Sequence, residues 1–282
     1  MAFVHLHVHS HYSRGWGLCS IGALLRVAGG MGLDRLALTD TNGLYGMVAF
    51  VQEAQKMGIR PVVGSELVAD GRRAVALVKN PQGYMHLCRI LSARHCDTGF
   101  DLVHTLREMR RGLIIFSDDF QLLNALKRDS TEDLYVEMSP GYQMGACYAF
   151  SRKSGIPPLA THRVYMLNKN QFPLHRILRA VSLNTKLSRL RPEDTCREHD
   201  VLQTPNRVID QFPHAPAAVF NTVKVAESAF VDWDFDRTVF PRFQNMDDQK
   251  AFELLYHKTL KGCRARYGSL SRAVRERVDH EM

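Results

Sequence analysis

Seven short runs rich in Val, Ile and Leu recur through the first 165 residues of the chain. Each run has the length and composition of a buried β-strand, and helical patterns lie between most of them. The runs are AFVHLHVH, RLALTD, RPVVGSELVA, AVALVK, GLIIFS, DLYVEM and PPLATH. This alternation predicts a parallel sheet with helices packed outside it, and seven units favour closure into an α/β barrel.

The clearest helical pattern between these runs covers residues 44–57. Its apolar residues are spaced to share one face of a helix: Leu44, Val48, Val51 and Ala54. Gly58 follows at a position where helices commonly end. No glycine-rich phosphate loop follows the first predicted strand, which argues against a dinucleotide-binding arrangement.

After about Leu167 the strand pattern stops and the remaining patterns are helical. They cover 170–183, 216–229, 249–267 and 271–282. An irregular, Pro-containing stretch, VDWDFDRTVFPRF, interrupts them, so we expect a barrel with its C-terminal helices over 1–230 and a linker with a short helical segment over 231–282. The last pattern has no Gly or Pro end signal, which is typical of a fragment.

The overall charge is basic, at +8 with an isoelectric point near 9.3. Basic residues concentrate in 176–197 and 258–277. An acidic partner such as nucleic acid is compatible with these clusters, but solvated helix faces have the same composition, and neither cluster is interleaved with aromatic residues.

Targeting and redox signals are absent from the sequence. No apolar run is long enough for a membrane-spanning helix, and no signal peptide pattern opens the chain, so a cytoplasmic protein without a membrane partner is expected. The six cysteines are scattered without a CxxC pair, which predicts free thiols instead of disulfides or a cysteine metal site.

Candidate chemistry begins in the first strand run, where histidines occupy every second position. His5, His7 and His9 would share one face of a strand, and His11 continues the spacing. Asp40 ends the second run and Glu66 lies in the third. Histidine and carboxylate ligands meeting at the rim of a barrel are typical of a hydrolytic metal site, although a hydrogen-bonded polar rim has the same composition.

Four segments resemble, in order and spacing, the motifs of the polymerase and histidinol phosphatase (PHP) domain, as found at the N-terminus of bacterial DNA polymerase III alpha subunits. They are HLHVHSHYS, LALTDTNGLYGMVAF, IRPVVGSELV and PPLATHRVYML. The resemblance continues through FPHAPAAVFNTVKVAESAFVDW and LLYHKTLKGCRARYG, towards the segment that precedes the palm in that family. It implies a distorted seven-stranded β/α barrel with up to nine metal-ligand positions, and the start of a palm-like region within 231–282.

The resemblance also implies that most of these ligand positions are lost here. Only His7, His9 and Glu66 match the family's ligands. At the other positions the chain has Trp16 for an aspartate, Thr41 for a histidine, Arg73 for a histidine, Asp118-Asp119 for Gly-Cys, Ser139-Pro140 near a missing histidine, and Arg163-Val164-Tyr165 for Asp-x-His. Rim residues with no motif support are Asp40, His11 and His162.

Arginine at two lost positions changes the expected chemistry, since a guanidinium supplies positive charge but cannot ligate a cation. We therefore expect Arg73 and Arg163 to replace ions by salt bridges to Asp40 or Glu66. No cofactor is expected, with zinc or manganese binding only if the vestigial site still functions.

Two functional hypotheses follow. The first is a non-catalytic structural or docking domain in DNA replication, with DNA and replication proteins as partners, including a proofreading exonuclease subunit. The second is a stand-alone metal-dependent phosphoesterase or 3′-5′ exonuclease. Asp232, Asp234 and Asp236 alternate like palm carboxylates, but they are expected to be surface acids.

Overall fold

The computed structural model describes residues 2–229, 231–235 and 243–282. The chain divides into two compact units, Met1–Asp232 and Trp233–Met282. The candidate site residues all lie in the first unit. Asp236 and most of the FPRF motif lie outside the described residues, whereas Asp232 and Asp234 are exposed, as expected for surface acids.

The first unit is built on one six-stranded sheet in which spatial order follows chain order. Its strands are β1 (Arg35–Leu38), β2 (Arg60–Ala69), β3 (Arg72–Val78), β4 (Leu113–Ser117), β5 (Leu134–Met138) and β6 (Pro158–Ala160). Six of the seven predicted runs thus form strands. The α/β class is confirmed, whereas the seven-stranded barrel is not.

The direction of β3 corrects the prediction of a parallel sheet. The β1–β2, β4–β5 and β5–β6 pairs are parallel, but β3 is antiparallel to both β2 and β4. The reason is a two-residue hairpin, because Asp70 and Gly71 both have positive φ, at 50° and 72°. Asp-Gly is a preferred pair for a turn of this kind, and it returns the chain directly beside β2.

The N-terminal run AFVHLHVH is extended but not a regular strand, and only Val8 forms a β-bridge, with Val164. Its backbone nevertheless bonds to the edge strand β1 and to the segment that follows β6. Ala37 N–H donates to the His5 carbonyl at 3.0 Å, and Val164 N–H donates to the His7 carbonyl at 3.1 Å. The histidine-bearing segment therefore lies between β1 and the residues that follow β6.

The described part of the first unit also contains nine α-helices. They are α1 (Ile21–Gly30), α2 (Met47–Lys56), α3 (Pro81–Cys96), α4 (Leu102–Met109), α5 (Phe120–Lys127), α6 (Met144–Ser154), α7 (Phe172–Ser182), α8 (Pro205–Ile209) and α9 (Pro216–Ser228). The patterns at 44–57, 170–183 and 216–229 correspond to α2, α7 and α9, within a few residues at each end.

The second unit contains α10 (Asp248–Tyr267) and α11 (Arg272–Glu281), as the helical patterns at 249–267 and 271–282 predicted. Helix α10 buries none of its side chains, and Phe252 and Leu255 on it are 49% and 54% exposed. Its apolar residues therefore form no core of their own.

The core of the first unit joins the N-terminal segment to the sheet and to α9. Its buried side chains include Val4, Leu6, Ala37, Val62, Val75, Leu77, Ile114, Phe116, Leu159, Val225 and Ala226. All six cysteines are free, as predicted. Among the described residues, none of the helices combines the length and apolar character needed to cross a membrane.

Candidate functional site

The two matched histidines of the N-terminal segment are completely buried and are oriented through their Nδ1 atoms. His7 Nδ1 donates to a carboxylate oxygen of Glu137 at 2.6 Å, and His9 Nδ1 lies 2.9 Å from the Ser13 hydroxyl oxygen. Ser13 in turn donates to Asp40 at 2.6 Å, so its oxygen accepts from His9. Both imidazoles therefore direct Nε2 towards Glu66.

Glu66 completes the cluster from within β2. His7 Nε2 lies 3.4 Å and His9 Nε2 lies 3.9 Å from its two carboxylate oxygens. One ligand atom from each residue lies within 4.8 Å of the others, and neither Nε2 atom has a hydrogen-bond partner. The alternate spacing of the histidines and the position of Glu66 thus bring three potential ligands together, as the sequence suggested.

Arg163 follows β6 and lies between two carboxylates. Its Nη2 donates to Asp118 at 2.7 Å and to Glu137 at 3.1 Å. The side chain of Arg163 is 3% exposed and that of Glu137 is 1% exposed. This buried ion pair has little competition from water, so each charge depends on the other.

Arg73, on β3, faces Asp118 from the other side. Its Nη2 contacts both Asp118 oxygens at 2.7 Å, and its Nε lies 3.7 Å from Glu66. Asp118 therefore bridges the two arginines. Arg73 reaches Glu66, as expected, whereas Arg163 pairs with Asp118 and Glu137 and not with the expected Asp40 or Glu66.

The cluster contains three carboxylates, from Glu66, Asp118 and Glu137, and two guanidiniums, from Arg73 and Arg163. It is therefore one positive charge short of neutrality, and His7 can supply that charge. Burial opposes ionisation of His7, but the adjacent carboxylates of Glu137 and Glu66 raise its pKa above the ordinary value. Burial likewise opposes ionisation of Glu66 and Glu137, but the cations around them hold both pKa values well below the usual range. His9 differs, because burial lowers its pKa to about 3 and keeps it neutral.

The remaining rim candidates lie outside this cluster. Asp40 accepts hydrogen bonds from the Ser10 backbone and from the Ser10 and Ser13 hydroxyls, and burial raises its pKa. His11 is exposed and approaches the Cys19 carbonyl. His162 is buried but bonds to the His199 carbonyl. Of the two expected partners for the arginines, Asp40 pairs with neither, because the serine hydroxyls and a backbone N–H satisfy its carboxylate.

His5 also lies outside the cluster, although it shares the alternate spacing of His7 and His9. Its Nε2 bonds to the Gln203 carbonyl at 2.8 Å, and its ring lies 6.2 Å from that of His162. Burial lowers its pKa to about 4. His5 is therefore a buried neutral histidine outside the group that could hold an ion.

Aromatic side chains occupy two of the positions where the family resemblance implies metal ligands. Tyr165 stacks on His9 with ring centroids 4.4 Å apart, and Trp16 lies 5.7 Å from Tyr165. The Arg179 guanidinium lies over the Trp16 ring, 3.7 Å from the ring centroid. Together with both cluster arginines, these rings line a cleft of about 470 Å³.

The donor set fits one divalent ion and does not fit two. The unpartnered Nε2 atoms of His7 and His9 and the carboxylate of Glu66 are suitable ligands for zinc or manganese. His7 Nδ1 donating to Glu137 also resembles the outer support of a metal-bound histidine. The other carboxylates, Asp118 and Glu137, are already paired with arginines, so they are not free to bind a second ion.

Glu137 is the one member of the cluster that sequence reasoning missed. It lies in β5, within the run LYVEM, where a lone glutamate looks like an ordinary polar position of a strand. Its partner Arg163 is 26 residues further along the chain. The available signal was an ionisable residue one position from the end of an otherwise apolar strand.

Comparison with known proteins relates this chain to one domain family and to two named polymerases. The sequence model of the PHP domain family matches residues 5–130. An error-prone DNA polymerase from Symbiobacterium thermophilum is 29% identical over an alignment that covers the whole chain and 30% of that protein. The DNA polymerase III subunit alpha of Bacillus subtilis is 27% identical over the whole chain and 28% of its own length.

The chain thus carries a PHP domain over residues 5–130. Across its whole length it is homologous to proteins named DNA polymerase III subunit alpha and error-prone DNA polymerase, and it spans less than a third of the length of these two relatives. A two-domain protein from Bacteroides vulgatus, containing a predicted PHP-like metal-dependent phosphoesterase, has a partly similar structure. The TM-score is 0.42 at 13% identity, covering 74% of this chain and 62% of that protein.

Proposed function

We propose that this chain is the PHP-like domain of a bacterial DNA polymerase III alpha-type protein, and that it acts in DNA replication as a structural or docking domain without catalytic activity. Its partners would be DNA and replication proteins, including a proofreading exonuclease subunit. Residues 231–282 would form a linker and the start of a palm-like region. The names and extent of the homologues support the assignment to replication.

The observation that most favours a non-catalytic role is the position of Arg163 and Arg73. Their guanidiniums bind Asp118, Glu137 and Glu66, so fixed cations neutralise carboxylates at the candidate site. A two-metal phosphoesterase needs both ions to stabilise the attacking and leaving oxygens. Arginines in place of the second ion would stabilise the fold without that ion. They would also leave two-metal hydrolysis without one of the ions that it needs.

Charge balance also argues against a single bound ion. With His7 protonated, two guanidiniums and one imidazolium match three carboxylates. A divalent ion bound to His7 would displace one proton and leave an excess positive charge in a buried region, with the Arg73 Nε only 3.7 Å from Glu66. Uncompensated buried charge is strongly unfavourable.

A one-metal phosphoesterase or 3′-5′ exonuclease is the second candidate. It is favoured by one specific observation, the two buried Nε2 atoms of His7 and His9 that lack hydrogen-bond partners. In that case His7, His9 and Glu66 would hold zinc or manganese. The ion would supply Lewis-acid activation of a water molecule or phosphoryl oxygen.

Hydrolysis assays separate the two candidates. The full chain would be incubated with Mn²⁺ or Zn²⁺ and either bis-p-nitrophenyl phosphate or single-stranded DNA with a labelled 3′ end. We expect no metal-dependent turnover beyond that of the His9→Ala/Glu66→Ala double variant. Turnover in the wild-type chain that this variant loses would establish the phosphoesterase and refute the non-catalytic role.

A further inference from the structure

Helix α7 buries polar side chains and exposes aliphatic ones, which is the reverse of the usual arrangement. Its buried side chains include His175 and Arg179, at 0% and 6% exposure. Its aliphatic side chains Leu174, Ile177 and Val181 are 54%, 50% and 73% exposed. A helix on the surface of a soluble domain normally turns its apolar stripe to the core, so this orientation leaves an apolar stripe uncovered.

Specific contacts fix α7 in this orientation. The His175 ring donates through Nδ1 to the Trp16 carbonyl at 2.9 Å and accepts the Cys196 N–H through Nε2 at 3.0 Å. Arg179 donates to the carbonyls of Asp194 and Gly15 at 2.6 and 3.1 Å. Rotating the aliphatic face inward would break all four bonds, so the exposure is built into the packing of the helix.

The aliphatic stripe continues beyond the helix and lies in a strongly basic part of the chain. Leu183 and Leu187 are each 43% exposed, and Arg176 Nη2 lies 3.4 Å from the Leu187 carbonyl. Residues 167–191 contain no Asp or Glu. They contain six Lys or Arg residues, which are Lys169, Arg176, Arg179, Lys186, Arg189 and Arg191.

We propose that this α7 face, formed by Leu174, Ile177 and Val181 with the exposed leucines that follow, docks a protein segment with an aliphatic stripe flanked by carboxylates. An amphipathic helix with acidic edges matches both features, because aliphatic side chains cover the stripe and carboxylates meet Lys186 and Arg189. This inference rests on the docking role proposed above and assigns it a surface and a partner chemistry.

Other occupants match the face less well. A second copy of the same face would bring two sets of basic side chains together without acids to balance them. A nucleic-acid backbone gains nothing from three aliphatic side chains, and no aromatic ring on this face offers a stacking surface. Anionic membranes favour helices with Trp or Phe on the apolar face, which α7 lacks on its exposed side.

Fluorescence anisotropy with the full chain tests this surface. The probe is a labelled helical peptide with leucines at i, i+3, i+4 and i+7 and glutamates on both flanks, and its controls are a scrambled peptide and a lysine-for-glutamate version. We expect the acidic peptide to bind, the scrambled and basic peptides to bind at least about tenfold more weakly, and added salt to weaken binding.

Matched variants locate the site. Ile177→Glu and Val181→Glu should each weaken acidic peptide binding about tenfold, and Lys186→Glu with Arg189→Glu should weaken it further. Val48→Glu on α2 is the control, because Val48 is 48% exposed on another helix. All of these positions are exposed or half-exposed, so we expect each variant to fold. Unchanged far-UV circular dichroism would verify this.

Three results would overturn the proposal. They are equal binding of scrambled and acidic peptides, acidic peptide binding that survives Ile177→Glu, or tighter binding of single-stranded DNA or anionic vesicles that Ile177→Glu abolishes. Failure here is distinguishable from failure of the proposed function. If the chain neither binds the peptide nor hydrolyses the substrates, only this docking surface is rejected. If the chain shows metal-dependent hydrolysis, the non-catalytic role is rejected whether or not the peptide binds.

Discussion

The guanidinium of Arg163 lies 3.1 Å from a carboxylate oxygen of Glu137, and both side chains are almost fully buried. Burial alone would oppose both charges, but each stabilises the other. The pKa of Glu137 is held well below its usual range by Arg163 and by His7, which also contacts it. This buried pair is where the chain places fixed positive charge at the candidate site.

Removing the Arg163 side chain should strongly destabilise the fold. Arg163→Ala leaves Glu137 and Asp118 without their guanidinium partner, and loss of one member of a buried pair typically costs about 3 to 5 kcal/mol. Arg152→Ala on α6 is the control, since Arg152 is exposed and its loss should cost less than about 0.5 kcal/mol. Equilibrium urea unfolding measures both, and equal midpoints would show that the contacts of Arg163 do not stabilise the fold.

Arg73→Ala should cost less than Arg163→Ala. The Arg73 side chain is 27% exposed, so water can replace part of its contact with Asp118. Arg163 would also remain to bind Asp118. The same unfolding experiment gives the order of the two variants, and a larger loss for Arg73→Ala would contradict the burial argument.

The Arg163–Glu137 contact predicts non-additive effects. Glu137→Gln and Arg163→Met should each destabilise, since each leaves an opposite charge buried. The double variant removes both charges, so its loss should fall short of the sum of the single losses by about 0.5 to 3 kcal/mol. A double-mutant cycle of unfolding free energies measures this coupling, and simple additivity would mean that the two residues act independently.

His175 predicts a loss of stability in acid. Burial lowers its pKa to about 4, and its Nε2 must stay unprotonated to accept the Cys196 N–H. The unfolded chain binds more protons below about pH 6.5, so the stabilising contribution is complete above that pH and decreases as the pH falls towards 4.

A His175→Gln variant isolates this effect from that of other buried histidines. Between about pH 7.5 and 5.5, the wild-type chain should lose roughly 1.3 kcal/mol more unfolding free energy than the variant does. Urea unfolding at the two pH values gives the comparison. An identical pH dependence would show that His175 does not titrate as its environment implies.

We expect residues 1–232 to fold without the second unit. The hydrophobic core joins the N-terminal segment, the sheet and α9, and α10 buries no side chain. A chain that ends at Asp232 should keep the far-UV circular dichroism and cooperative unfolding of the first unit. A broad transition, or loss of the near-UV signal of Trp16, would contradict this division.

Local sequence patterns predicted the elements better than their arrangement. The Val- and Ile-rich runs located β1 to β6, because a buried strand needs apolar residues whichever strands it pairs with. The reversed direction of β3 depends on two turn residues, Asp70 and Gly71, and not on the apolar pattern of the runs. The first run did not become a regular strand, although its backbone bonds to β1 and to the segment after β6.

The candidate site was predictable only where ligand spacing is local. His7 and His9 share a face by alternation, and Glu66 lies within β2, one strand beyond β1, so their convergence at one rim followed from the sequence. The partners of Arg163 did not, because Glu137 and Asp118 come from β5 and from the residue after β4. Long-range pairing of this kind is set by sheet order, which the sequence pattern did not reveal.

Metal content tests the replacement of ions by arginines most directly. The full chain, purified without chelator, would be equilibrated with Zn²⁺ or Mn²⁺, desalted and measured by inductively coupled plasma mass spectrometry beside the His9→Ala/Glu66→Ala variant. We predict well under one ion per chain, at the level of the variant. Retention of one or more ions per wild-type chain, lost in the variant, would contradict the account.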